Sequence, residues 1–216
     1  MKSWIFFDLD GTLTDPGEGI TNSVMYALEK YGIRVKSREE LYPFIGPPLT
    51  ESFQVYYGFS VRESFEAMAY YREYFSVKGL FENKVYPGIP EMLSALKAAG
   101  KKLAVATSKP EEYSRRILEK YGLWQYFDFL AGNTLLEDRP TKKSVLEYAF
   151  SSLNLSPGNV VMVGDRKYDM EGAKAFSMTA VGVSYGYGST KELCDAGADL
   201  VCATVEELGD TLLRLT

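Results

Sequence analysis

Short apolar runs punctuate the chain at Trp4–Phe7, Leu103–Ala106, Phe127–Ala131, Val160–Val163, Ala180–Val183 and Leu200–Ala203. Each has the length of a buried strand, and several are rich in Val, Ile or Phe. Amphipathic stretches lie between them, near 89–99, 111–121, 142–153, 168–176 and 205–214. Their ends carry helix punctuation. Gly100 and Gly122 sit where a glycine beyond a helix C-terminus belongs. Pro110 suits a first helical turn, and Ser189–Glu192 and Thr204–Glu207 have capping-box spacing. Strands alternating with helices predict an α/β fold, a doubly wound parallel sheet.

The pattern changes from about residue 16 to residue 83, where no strand reads convincingly. Helical stretches fall near 19–31, 38–45, 50–57 and 61–77, with capping-box spacing at Ser37–Glu40 and Ser60–Glu63 and stop signals at Gly32 and Gly79. In the last stretch Val61, Phe65, Met68 and Phe75 share a helical face. The organisation predicted is a core of residues 1–15 and 84–216 with a small helical domain, 16–83, inserted after the first strand. "VYPGIP", Val85–Pro90, marks the return to the sheet.

Composition excludes several chemistries. The 216 residues are 46% apolar and 25% charged, as in ordinary globular proteins. The net charge is −5 with no basic block, which argues against a nucleic-acid polymer as partner. No segment is long and apolar enough to span a bilayer, so the expectation is a soluble, cytoplasmic protein with no membrane partner. Cys194 and Cys202 fit no metal or redox spacing and read as idle thiols. There is no histidine, which removes Ser-His-Asp and Cys-His mechanisms and His-built zinc sites. Proton transfer falls to Asp, Glu, Lys, Tyr or Cys.

In open α/β sheets ligands bind beyond the carboxyl ends of the strands. Asp8 and Asp10 follow the first run; Thr107, Ser108 and Lys109 follow the second; Gly164, Asp165, Tyr168 and Asp169 follow the fourth. Arg139, Lys142 and Lys143 precede the helix leading into that fourth run. Four clustered carboxylates repel strongly at a low-dielectric edge and need a cation among them. Oxygen ligands without His or Cys point to Mg²⁺. Mg²⁺ beside hydroxyl and N–H donors at Thr107 and Ser108, with a lysine, describes a site for a phosphate ester. Asp8 and Asp10, two apart on a strand, point the same way. One can attack phosphorus while the other protonates the leaving oxygen and then deprotonates water. Gly11 lets the backbone turn close to the phosphate.

"DLDGT" (Asp8–Thr12), "VATS" (Val105–Ser108), the downstream Lys142 and "GDRKYD" (Gly164–Asp169) together resemble the four motifs of the haloacid dehalogenase (HAD) superfamily, in order and across nearly the whole chain. The helical insert resembles that family's α-helical cap. "YPGIPEML" and "IGPPL" (Ile45–Leu49) resemble its phosphoglycolate phosphatase-like branch, which includes 5′-nucleotidase-like members. The resemblance implies Asp8 as nucleophile and metal ligand, and Asp10 as general acid/base with its backbone carbonyl on the metal. It implies Thr107 and the Ser108 amide on the phosphoryl group, Lys142 beside Asp8, and Asp165 and Asp169 on Mg²⁺, the latter directly or through water.

Many relatives place Pro directly after the third-motif lysine, whereas this chain reads Arg139, Pro140, Thr141, Lys142, Lys143. Lys142 and Lys143 are therefore rivals, with Lys142 favoured, and Arg139 is a further candidate near the site. The expected activity is a Mg²⁺-dependent phosphatase of small phosphorylated metabolites, phosphoglycolate or a nucleoside 5′-monophosphate. The alternatives are a phosphosugar mutase using the same intermediate and a non-catalytic phosphometabolite-binding protein. Gly17–Ile20 and Phe44–Leu49 are candidate substrate contacts in the insert. Oligomeric state is not legible.

Overall fold

The computed structural model describes residues 3–215. Six strands form one sheet: β1 (Trp4–Phe7), β2 (Lys102–Pro110), β3 (Phe129–Asn133), β4 (Val160–Gly164), β5 (Thr179–Val183) and β6 (Leu200–Cys202). Their spatial order is β3-β2-β1-β4-β5-β6, and every pairing is parallel. The order runs outward from β1 in both directions. The switch point therefore lies between β1 and β4, where such sheets open a crevice at their carboxyl ends.

Nine α-helices accompany the strands among the described residues. They are α1 (Gly17–Glu29), α2 (Leu49–Tyr57), α3 (Val61–Phe75), α4 (Ile89–Ala98), α5 (Glu111–Lys120), α6 (Lys142–Leu153), α7 (Lys167–Ala175), α8 (Thr190–Asp195) and α9 (Val205–Leu215). None is long and apolar enough to cross a membrane. The chain divides into two compact units, one up to Thr14 and from Val85 onward, the other Asp15–Lys84. The connecting segments Thr14–Asp15 and Lys84–Val85 pair as a short ribbon.

In the sheet unit the strands are apolar on both faces. Phe6, Ala104, Ala106, Ala131, Val160, Met162 and Ala180 cluster with Val145, Leu146, Ala149, Phe150, Met170, Ala173 and Leu193 from α6, α7 and α8. The alternating set, Ile5, Phe7, Leu103, Val105, Val161, Val163 and Val181, is equally buried, as a sheet with both faces covered requires. Fully burying one such side chain contributes about 1.5–3 kcal/mol, so β1 and its neighbours form a rigid mount.

Several local expectations shift. Pro110 ends β2 in extended backbone (φ −54°, ψ 135°), and α5 starts at Glu111. A residue before proline is pushed to extended backbone too, which carries the strand through Thr107–Lys109. The apolar run at 127–131 forms strand from Phe129 to Asn133. Gly100 and Gly122 adopt φ of +77° and +68° just past α4 and α5. Thr190–Asp195, beyond the Ser189 cap, is a short helix that apolar periodicity does not single out, being six residues long.

In the helical unit Arg38–Phe44 is a 3-10 helix, not an α-helix, with Pro43 inside it and no side-chain cap bond at Ser37. A proline there lacks the N–H that an α-helical ladder needs. Ser60 and Glu63 do form a reciprocal capping box at the start of α3. The buried face of α3 is Ser64, Ala67, Met68, Tyr71 and Phe75; Val61 and Phe65 are exposed. Gly79 is not a helix stop but a contact glycine: a Cβ on Gly19 would lie 1.9 Å from the Gly79 carbonyl oxygen, so the two backbones touch. Phe44 and Ile45 are buried, Phe44 edge-on to Phe53, so they serve this unit's own core and not a ligand.

Candidate active site

The expected chemistry collects at the carboxyl edge of the sheet unit. Asp8 leaves β1 directly, its N–H still bonded to the Val163 carbonyl at 2.8 Å, as if it were one more strand residue. Asp165 follows β4, and Asp169 lies in the first turn of α7, where a carboxylate suits the helix macrodipole. Asp8, Asp165 and Asp169 are all buried, and each offers an oxygen within 4.8 Å of the others'.

Lys142 is the lysine that reaches them. It is the first residue of α6, capped by Thr141, whose hydroxyl accepts the Ser144 N–H at 3.1 Å. A cation at a helix N-terminus opposes the macrodipole, so its position needs compensation. Its Nζ lies 2.9 Å from Asp8 Oδ1 and 2.7 Å from Asp169 Oδ1, and donates to the Ala106 carbonyl at 2.8 Å. Burial alone would lower the ammonium's pKa, yet Asp169 and Asp8 outweigh it and hold the pKa above the ordinary lysine value. Lys143 points away, 62% exposed and 3.9 Å from Glu147. Arg139 does not join the cluster either. Its guanidinium stacks on the Tyr148 ring at 3.8 Å and donates to Glu111 Oε1 at 2.8 Å.

Asp165 is held in its protonated form by its surroundings. Burial raises its carboxyl well above the usual range, and the nearby Asp169 and Asp8 raise it further. Burial also raises Asp169, against the pull of Lys142. Three buried carboxylates around one ammonium leave excess negative charge in a low-dielectric site, which a cation relieves. The donors are all oxygens, the set that hard divalent cations prefer. The residues present therefore fit a divalent cation held by Asp8, Asp165 and Asp169.

Asp10 stands apart. Its Oδ2 accepts a close charged hydrogen bond from Lys109 Nζ, and its carboxylate is not in the three-acid cluster. Burial raises its pKa, and Lys109 is the main opposing influence. Lys109 thus faces Asp10 here, whereas sequence order alone groups it with the phosphate donors. Thr107 is buried, its hydroxyl accepting the Lys109 N–H at 3.2 Å. Ser108 is half-buried at the same strand end.

Gly11 takes φ +80°, and a Cβ there would come within 2.1 Å of Asp165 Oδ2. The glycine is needed for the approach of this acid as well as for the turn. The segment after β5, absent from the candidate residues, braces the same carboxylate. The Tyr187 N–H donates to Asp165 Oδ2 at 2.8 Å, the Tyr185 hydroxyl donates to the Thr12 carbonyl at 2.9 Å, and a Cβ on Gly186 would meet the Gly11 carbonyl at 2.3 Å. The available signal was "GYG" straight after a predicted strand at the same sheet edge.

Residues 5–183 match the family model for haloacid dehalogenase-like hydrolases. A crystal structure of a predicted phosphatase from Clostridium acetobutylicum superposes with TM-score 0.97 at 47% identity, covering 99% of each chain. A Pseudomonas aeruginosa protein named 5′-nucleotidase is 42% identical over 96% of this chain and 94% of its own length. A Mycobacterium tuberculosis protein named tyrosine-protein kinase PtkA is 38% identical over 96% of this chain and 72% of its own. The chain belongs to the haloacid dehalogenase-like hydrolases, and within them it is an enzyme of the phosphatase kind.

Proposed function

We propose that the protein is a Mg²⁺-dependent phosphatase that hydrolyses small phosphate monoesters through an aspartyl-phosphate on Asp8. The observation that carries this reading is the buried placement of Asp8 between Lys142 and the acids Asp165 and Asp169. Asp8, Asp165 and Asp169, with the Asp10 backbone carbonyl, would hold Mg²⁺. When bound, the cation neutralises the clustered carboxylates and draws charge from the phosphoryl oxygens.

The chain's own groups divide the remaining work. Asp8 attacks phosphorus with the carboxylate oxygen that Lys142 orients. Lys142 also balances charge on the phosphoryl group in transit. The Thr107 hydroxyl and the Ser108 N–H donate to phosphoryl oxygens. Asp10 gives a proton to the leaving oxygen, then takes one from the water that cleaves the aspartyl-phosphate. Substrate choice falls to the helical unit acting as a cap, with Gly46–Leu49 and the first turn of α1 as contacts.

A nucleoside 5′-monophosphate is the favoured substrate class, on the strength of the 42% identical relative named 5′-nucleotidase; phosphoglycolate stands second. The test is a phosphate-release screen with Mg²⁺ over nucleoside monophosphates, phosphoglycolate and sugar phosphates. Nucleoside 5′-monophosphates should rank first; absence of release from every monoester would contradict the proposal. A second reading, transfer of the same phosphoryl group to a hydroxyl acceptor, is favoured by the relative named tyrosine-protein kinase. Phosphate release equal to substrate loss decides against it.

A further inference from the structure

The Asp10–Lys109 pair assigns a role to a residue that the phosphatase reading leaves unused. We infer that Lys109 is a positioning residue: it clamps Asp10 through Oδ2 and so fixes the orientation of the carboxyl that exchanges protons with the leaving group and with water. The inference rests on Asp10 acting as the general acid/base proposed above.

The geometry supports a clamp. The two side chains are nearly buried, 7% exposed for Lys109 and 13% for Asp10. A charged hydrogen bond screened from water is stronger and more directional than one in solvent. Lys109 is delivered by the extended end of β2, which Pro110 holds, so the ammonium has a fixed origin.

As the Asp8 carboxylate forms its bond to phosphorus, the ester P–O bond breaks, and the proton on the Asp10 carboxyl passes to the departing oxygen. Asp10, now ionised, takes a proton from the water that attacks the aspartyl-phosphate. Inorganic phosphate leaves and Asp8 is regenerated. Lys109 neither gains nor loses a proton.

A clamp of this kind matters only where the leaving oxygen needs a proton. Single-turnover release of the leaving group should be compared for adenosine 5′-monophosphate, which departs as an alcohol, and p-nitrophenyl phosphate, whose phenolate departs unaided. Lys109→Met should slow the first by roughly 10–100-fold, within what general-acid catalysis contributes, and the second by less than about threefold. KM should stay near the wild-type value, and Lys109→Arg should restore most of the difference. Lys109→Gln, read by the same ratio, serves if the Met variant does not fold. Equal losses on both substrates, or a change confined to KM, overturn the inference, since a phosphate contact or a structural role would act on both. Asp10→Asn run alongside separates the failures. A leaving-group difference in Asp10→Asn without one in Lys109→Met removes the clamp alone. No difference in either variant removes the general-acid reading together with the clamp.

Discussion

The sheet unit buries Asp8, Asp165, Asp169 and Lys142 at one edge, whereas the helical unit, Asp15–Lys84, buries no charged side chain among its described residues. The helical unit is held by aromatic packing instead: Phe44 edge-on to Phe53, Phe53 stacked on Phe59, Tyr71 stacked on Phe75. Burying unpaired charge costs several kcal/mol per ion. A protein of ordinary stability tolerates that in one place only if a ligand relieves it. The contrast places the cluster of buried charge in the sheet unit and leaves the helical unit dependent on packing and capping.

The strongest way to break this contrast is Lys142→Met. It leaves Asp8 and Asp169 without their protein cation. The metal-free protein should lose about 3 kcal/mol, the scale for stripping one partner from a buried ion pair. Turnover with Mg²⁺ should fall on the order of 10²–10³-fold. Denaturant melts and steady-state kinetics check both; a stable, fully active variant would remove Lys142 from the site.

A subtler probe uses pH. Asp165 has a folded pKa above its unfolded value of about 3.9. The folded state therefore holds this proton more tightly. The stability it contributes is complete below about pH 4 and is lost as pH rises through the folded pKa. Mg²⁺ binds the ionised form, so it should raise the melting temperature more at pH 8 than at pH 5. Asp165→Asn should flatten that dependence. A Mg²⁺ effect independent of pH, or unchanged in the variant, would speak against the three-acid site.

The smallest expected effect lies in the helical unit. Ser60→Ala removes the cap of α3 and should cost about 1 kcal/mol, with p-nitrophenyl phosphate hydrolysis unchanged. A loss of chemistry on that activated substrate would blur the division between the units.

Much of the sheet unit was legible because its signals are local. An apolar run ending in Asp8-Leu-Asp10-Gly11 states both a buried strand and where it stops. Lys142 is legible only as one of two rival lysines, and the structure separates it, bonded to Asp8, from the exposed Lys143. What was not legible depends on approach in space. The bond from Lys109 to Asp10 joins residues 99 apart, and nothing in "TSK" says which way the ammonium turns. The brace at Tyr185–Tyr187 acts largely through a backbone N–H, a backbone carbonyl and a missing Cβ, which leave little trace in side-chain identity. In the helical unit Pro43 turned an expected α-helix into a 3-10 helix. On α3 the expected Met68 and Phe75 are buried, but Tyr71, stacked on Phe75, joins them in place of the exposed Val61 and Phe65.

The central claim is that Asp8 carries the phosphoryl group. The direct test is acid quenching during turnover of a nucleoside 5′-monophosphate with Mg²⁺, followed by mass spectrometry of the peptide containing Asp8. The account predicts one hydroxylamine-labile phosphoryl group on Asp8, absent from Asp8→Asn, which should also be inactive while folding normally. Phosphate found on another residue, or continued Mg²⁺-dependent turnover by Asp8→Asn, would contradict it.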